Sequence, residues 1–302
     1  MKKITIATIV ALFSMHTLQA CEICGCGIGN YYIGMLPQFN NKFIGIRYHV
    51  QQFKTRLLDD PDQFSNDYYK TMEIWAGVNF GKRWQVLAII PYNFIHQVSD
   101  DGTTDKNGLG DIAVMANYKI FDKTSAVFKK NISQQLWLGA GLKLPTGKFN
   151  VDTTASEVAA LANTQTGTAS TDFMISAMYN IRINKFGLNT SASYKMNTSN
   201  SDKYSFGNKF SASSFAYYSI TKFKTGITPN IGVMYENTAA NTLQSLKVAQ
   251  TGGYLAAASA GMEVSIKKVT IGCNAQLPIA QRYAGGQTET KIRAMAHITF
   301  SL

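Results

Sequence analysis

The closing twelve residues constrain the fold more than any other stretch of this chain. From Lys291 to Leu302 the even positions carry Ile292, Ala294, Ala296, Ile298, Phe300 and Leu302, while the odd positions carry Lys291, Arg293, Met295, His297, Thr299 and Ser301. Successive side chains of a β-strand point to opposite faces. The segment therefore has one continuous apolar face and one mostly polar face, right up to the carboxyl terminus. That is the form of a closing strand in an outer-membrane β-barrel. An edge strand in a soluble sandwich would alternate as well, so the rest of the chain has to separate the two.

The same period recurs upstream. Ile44, Ile46, Tyr48 and Val50 share one face of 41–53, with Phe43 as the exception, and further alternating rows occupy 71–80, 84–94, 109–121, 134–145, 173–183, 186–196, 206–220, 227–235, 254–266 and 269–279. With the closing segment this makes twelve rows, and period two outweighs period 3.6 in nearly every window. An even count returns both ends of a barrel to one side. The connections 81–83, 184–185, 221–224 and 267–268 are short, whereas 54–67, 97–108, 146–170, 197–205, 236–251 and 280–288 are long and polar. Short periplasmic turns alternating with long external loops are a barrel feature. The link 122–133 breaks the rule, being long where a short turn is due. Tyr92, Phe94, Tyr118, Phe121, Tyr194, Tyr235 and Phe300, near the ends of rows, are expected to form interfacial girdles.

Composition agrees. Mean hydropathy is −0.08 although 45% of residues are hydrophobic, and only 16% are charged. After residue 20 no apolar run reaches the roughly 18 residues of a membrane-spanning helix. Residues 1–20 have the form of a secretory signal: Lys2 and Lys3, an apolar core from Ile4 to Phe13, then Thr17-Leu18-Gln19-Ala20. The expected organisation is a signal peptide (1–20), a Cys/Gly-rich segment (21–41) and an all-β, single antiparallel up-and-down transmembrane barrel of about twelve strands (42–302). The net charge is +11, but its carriers fall mainly in connections: Lys82-Arg83, Lys129-Lys130, Lys185, Lys222, Lys224 and Lys267-Lys268. This dispersal gives no nucleic-acid module. It fits turns that are solvated or face an anionic membrane surface.

Three features could carry chemistry. Cys21, Cys24 and Cys26 lie within six residues, and thiolates suit Cu(I) or Zn(II). A disulfide in an oxidising compartment, or a lipid on Cys21 in Leu18-Gln19-Ala20-Cys21, competes with metal binding. This segment is also a candidate plug of the lumen. Second, the inward positions expected from the alternation include Arg47, His49, Glu73, Asp111, Lys119, Lys143, Arg182, Arg293 and His297. Most are basic, which suggests a preference for anionic or polar solutes. His49 and His297 fall on the first and last strands, neighbours in a closed barrel, and are expected to pair or to join Arg47 and Glu73 in a network. No Gly-x-Ser-x-Gly element accompanies them, so no catalytic residue is assigned. Third, Asp59-Asp60 with Asp62, and Asp100-Asp101 with Asp105, are loop acids without EF-hand spacing.

Gly108-Leu109-Gly110-Asp111-Ile112, then Tyr118, then Gly141-Leu142-Lys143-Leu144-Pro145-Thr146-Gly147 resemble the outer-membrane barrels named for the MetA pathway of phenol degradation. The resemblance is clearest between Gly108 and Lys148. It implies an outer-membrane channel or transporter, in a family named more for gene neighbourhood than for demonstrated transport. It brings no substrate and no catalytic residue with it. The expected function is passage of a small-molecule solute across a Gram-negative outer membrane, with membrane lipid as the other partner and the oligomeric state left open. The alternatives are a barrel handling copper or zinc through its cysteines and, further off, an outer-membrane hydrolase.

Overall fold

The structure, a computed structural model, describes residues 42–58, 62–100, 102–127, 130–153 and 158–302. The expected signal segment and the Cys21, Cys24 and Cys26 segment lie outside the described residues. The strands are β1 (Phe43–Arg56), β2 (Phe64–Phe80), β3 (Trp84–Ser99), β4 (Gly102–Leu109), β5 (Ala113–Val127), β6 (Lys130–Lys143), β7 (Asp172–Ile183), β8 (Phe186–Met196), β9 (Tyr204–Ser205), β10 (Lys209–Tyr218), β11 (Ile220–Lys222), β12 (Thr225–Thr238), β13 (Thr242–Leu243), β14 (Leu246–Lys247), β15 (Gly253–Ile266), β16 (Val269–Tyr283) and β17 (Thr288–Ser301), with one short helix, α1 (Val158–Asn163).

Antiparallel neighbours run from β10 through β8, β7, β6, β5, β3, β2, β1, β17, β16 and β15 to β12, and β12 pairs back to β10. The sheet is thus a closed barrel of twelve strands. The two further short strands of this sheet continue others: β4 pairs only with β3, above β5, and β11 extends the line of β10 along β12. Closure satisfies the backbone where no water is present. The alternation read from sequence sets the faces. In β1, Phe43, Gly45 and Arg47 are buried in the lumen while Ile44, Ile46 and Tyr48 are exposed to lipid. Phe43, the exception in the sequence pattern, is inward because it packs on Trp75, with ring centroids 4.6 Å apart.

Each of the three prolines inside strands sits where a neighbouring ladder stops. Pro91 falls between the stretch of β3 paired with β5 (Trp84–Ile89) and the stretch paired with β4 (Tyr92–Ser99). Pro229 falls between the β11 and β10 pairings of β12. Pro278 follows Gln276, where the β16–β17 ladder breaks off. Proline offers no N–H, so within a sheet it is tolerated only at such places.

The short-turn end is joined into a rim by backbone bonds between adjacent connections: Lys119 N–H to Arg83 O, Asn184 to Asn131, Ser219 to Lys185, Lys267 to Lys224, Ser301 to Lys268 and Leu302 to Lys42. Much of the positive charge stands here, at the periplasmic end of an outer-membrane barrel.

Several connections differ from expectation. The long link 122–133 is not a loop: β5 and β6 continue past the rim as a paired ribbon, Asp122 opposite Gln135 and Val127 opposite Lys130. Its polar residues hid the alternation because a ribbon beyond the membrane has no lipid-facing row. The external connection 97–108 is likewise a hairpin, with β4 lying along β3. In 206–220 the adjoining tyrosines divide: Tyr217 turns inward to bond Asn180 at 3.0 Å, and Tyr218 packs on Phe186, 4.6 Å between centroids.

Candidate functional site

The lumen is built in layers. Nearest the periplasm, on the side of β1 to β7, Phe43, Trp75, Leu87, Ile89, Met115, Trp137 and Met174 form an apolar core against that part of the wall. Lys119 reaches over the Trp137 ring at 4.9 Å and pairs with Asp122 at 2.9 Å. Glycines on inward positions make the room. Gly272 lies across from His297, and any Cβ there would collide with the imidazole.

The next layer is ionic. Arg47 pairs with Glu73 at 2.7 Å, stacks over Trp75 at 4.5 Å, and is one of the largest fully buried side chains. His49 shares the same carboxylate at 3.0 Å. His297 stands opposite Arg47 on β17, but its Nε2 faces Glu263 at 3.6 Å and its Nδ1 faces Thr299 Oγ1 at 3.3 Å. The two histidines therefore do not pair. Register places His49 opposite Met295, not His297, so each imidazole finds its own carboxylate.

Higher, Glu236 holds Lys209 at 3.0 Å and Arg293 at 3.1 Å. Lys195 lies directly opposite Lys209 on β8. Beside this group a small cavity, open to solvent, is lined by serines 191, 193, 211 and 213 together with Phe215 and Met234. Its wall belongs to the half of the barrel that the apolar core leaves unfilled.

At the extracellular end a buried knot ties the loop 144–171 into the mouth. Lys143 Nζ lies 2.7 Å from Asp111 and 2.8 Å from Asp172, all three without solvent exposure. Thr168 donates its N–H and hydroxyl to Asp111 at 3.0 and 2.7 Å and also meets Lys143 Nζ, Gly147 N–H donates to Asp111 at 2.9 Å, and Ser170 bonds Asp172 at 2.9 Å. The two Gly-rich motifs thus meet through their own charged residues. From this knot the loop crosses the inner wall: Asn93 donates to Thr166 O at 2.9 Å and Tyr69 to Asn163 O at 3.4 Å, while Val158 and Ala162 of α1 pack on Tyr204 and Phe206. Lys106, on the external hairpin, approaches Thr164 at 3.4 Å, and its partial burial there lowers its pKa from the ordinary lysine value. Gly147 and Gly167 touch backbone to backbone, with no space for a Cβ on either. Gly167→Ala is accordingly expected to destabilise the folded barrel by about 1–3 kcal/mol through overpacking, read as an earlier urea midpoint in detergent.

Of the residues singled out in sequence, Arg47, His49, Glu73, Asp111, Lys119, Lys143, Arg293 and His297 all reach the lumen or its mouth in these clusters. Arg182 has inward parity beside buried Asn180 but stands exposed at the periplasmic end. The lumen is not mainly basic, as the sequence list suggested. Asp172, Glu236 and Glu263 face the cations and were missed, together with Lys195 and Lys209. Sequence periodicity leaves Glu236 in the connection 236–251, because β12 runs past the last apolar residue of its row. Glu263, between outward Met262 and Val264, was legible from parity alone. Cys273 is exposed on the lipid face. In the acid-rich connections, Asp105 pairs with His96 at 2.7 Å and Asp100 accepts from the Phe64 N–H at 3.3 Å, while Asp59, Asp60 and Asp101 lie outside the described residues.

The family described as MetA-pathway of phenol degradation matches residues 63–281. Among solved structures, the COG4313 outer membrane channel from Pseudomonas putida F1 superposes with a TM-score of 0.64 at 14% identity, over 91% of this chain and all of that one. The β domain of the Bordetella autotransporter BrkA superposes with a TM-score of 0.53 at 10% identity, over 87% of this chain and all of that one. These likenesses show the outer-membrane barrel fold. No curated protein sequence matches the chain.

Proposed function

Because the chain belongs to the MetA-pathway of phenol degradation family, matched over most of its barrel, we propose that it is an outer-membrane channel for small, uncharged solutes with both polar and apolar parts. One observation carries this reading. The cavity wall combines serine hydroxyls with Phe215 and Met234, and the oppositely charged side chains that line it, Glu236 and Arg293, are already paired with each other at 3.1 Å. A neutral solute can exchange water for those hydroxyls while its apolar part meets Phe215 and Met234. An ion entering the same place meets pairs that have little to gain from it. No catalytic step belongs to this reading: His49 and His297 are held by Glu73 and Glu263, and His297 lies buried against the edge of Trp75. The outer-membrane setting is that of the fold, and membrane lipid is the partner of its exposed rows.

The test is conductance and solute flux through the full-length protein. In a steep KCl gradient the reversal potential is expected near zero, and liposomes are expected to swell faster in a small neutral alcohol than in a carboxylate of equal size. Strong preference for ions of either sign would reject the neutral-solute reading. Swelling and conductance no greater than in protein-free membranes would reject the channel itself.

A further inference from the structure

A row of inward positions crosses the wall at the floor of the cavity. On β12, β15 and β16 it reads Asn230, Gly261 and Asn274, each directly opposite the next. The row above, Gly232, Ser259, Gln276 and Arg293, reaches the cavity through Gln276 and Arg293. The row below, Glu263, Gly272 and His297, belongs to the ionic layer. Met295, opposite Asn274 on β17, lines the cavity as well. The row is therefore the step between the open cavity and the charged layer beneath it.

Both asparagines are only 4% exposed, and each has one amide atom without a hydrogen-bond partner among the described residues: Asn230 Oδ1, an acceptor, and Asn274 Nδ2, a donor. Asn274 is oriented from its other side. Its Oδ1 accepts from Ser259 Oγ at 2.8 Å and from Gln276 Nε2 at 3.4 Å. A Cβ on Gly261 would stand 2.8 Å from Asn274 Nδ2 and 3.1 Å from Asn230 Oδ1. The two amide ends thus converge over the one residue of the row that has no side chain, and they do not bond each other. Buried polar atoms are rarely left empty, because each has given up its hydration.

The group that fits here must donate once and accept once within a small volume. A hydroxyl does both through a single oxygen. It can accept from Asn274 Nδ2 and donate to Asn230 Oδ1, with the bare backbone of Gly261 beneath it. A carboxylate would set its charge against the Asn230 oxygen, and an ammonium would set its N–H groups against those of Asn274. An ether or a ketone satisfies Asn274 and leaves Asn230 empty. A site built to bond a hydroxyl rejects the analogue that lacks it, because its own buried groups are then unpaired. The remainder of such a solute meets Phe215 and Met295 on the cavity wall.

From this geometry we propose that Asn230 and Asn274, converging over Gly261, form a seat for a neutral hydroxyl group at the floor of the cavity, which selects solutes that carry one. This rests on the channel reading and names its solute class, small uncharged alcohols. Asn274 holds the hydroxyl oxygen and Asn230 takes its proton, so Asn230 is the residue that tells an alcohol from a molecule that only accepts.

The test uses the full-length protein with cyclohexanol and cyclohexanone, probes of nearly equal size of which only the alcohol donates. Titration calorimetry in detergent reads binding whether or not the barrel conducts, and planar-bilayer recording reads conductance separately. The unmodified protein is expected to bind the alcohol about tenfold tighter than the ketone, the worth of a hydrogen bond to a buried acceptor that is otherwise empty. Asn230→Leu is expected to abolish this preference while keeping ketone binding, which also shows that the variant is folded. Asn274→Leu is expected to weaken both probes. Asn117→Leu removes another buried amide, on the apolar-core side of the lumen, and is expected to leave the preference intact. Equal or absent binding of the two probes by the unmodified protein, a comparison that needs no variant, would overturn the seat, as would a preference that survives Asn230→Leu. Conductance would in that case leave the channel standing. The expected preference without conductance above that of protein-free membranes would support the seat and reject the channel.

Discussion

Lys143→Met is expected to free the external loop and to give the largest structural effect of any single change. The lysine contacts two fully buried carboxylates, Asp111 and Asp172. Removing it leaves two buried negative charges beside each other, and breaking a buried pair costs about 3–5 kcal/mol. Asp111 also receives Gly147 and Thr168, so the loss travels directly into the loop that crosses the mouth. The urea midpoint in detergent should fall, the 144–171 segment should become open to protease in folded barrels, and conductance should rise. Lys143→Met combined with Asp111→Asn and Asp172→Asn removes the uncompensated charge and should recover a good part of the stability. If the triple variant is no more stable than the single one, the charge balance is not what holds the knot.

Glu236→Gln is expected to make the cavity strongly positive by removing the one carboxylate that two cations share. Its carboxylate is the shared partner of Lys209 and Arg293, and Lys195 lies across from Lys209. Glutamine retains the shape and can still accept a hydrogen bond, but the negative charge is gone from a site where all three side chains are buried. Field lines from the uncompensated cations concentrate in a narrow, low-dielectric lumen. The reversal potential in a KCl gradient should move several-fold in permeability ratio toward chloride, with a stability loss of about 3 kcal/mol. An unchanged reversal potential would mean that ions do not pass this cavity, and that the conducting path runs elsewhere in the barrel.

The external loop and the ion clusters show where sequence reading stops. The GLGDI and GLKLPTG segments marked Asp111 and Lys143 as notable and placed them inward, and the structure adds that they bond each other. Spacing along the chain could not join them to Asp172, Thr168 and Ser170, which the loop brings back from further along the sequence. Glu263 had its face written in the alternation, but its partner His297 sits two strands away across β16. The opposite case is 122–133, where polar residues read as a loop and the chain continues as paired strands. Outside the membrane neither face needs apolar residues, so the period-two signal vanishes although the strand does not.

The sequence by itself determined the architecture, because a lipid-facing row at every second residue is a local requirement of each strand. A shift of one residue would put charges into lipid, so face and register were fixed together. Twelve such rows with short and long turns in alternation left a closed barrel as the consistent answer. What only the tertiary structure decided is which inward charges meet. Those contacts depend on closure between β1 and β17, on the ladder ends at Pro91, Pro229 and Pro278, and on a loop folding back over the mouth. They join residues far apart in the chain, and no local preference encodes them. The end of the β16–β17 ladder beside Pro278 belongs to the same class: the proline is visible in the sequence, but the side of the strand that loses its ladder is set by the neighbour that arrives there.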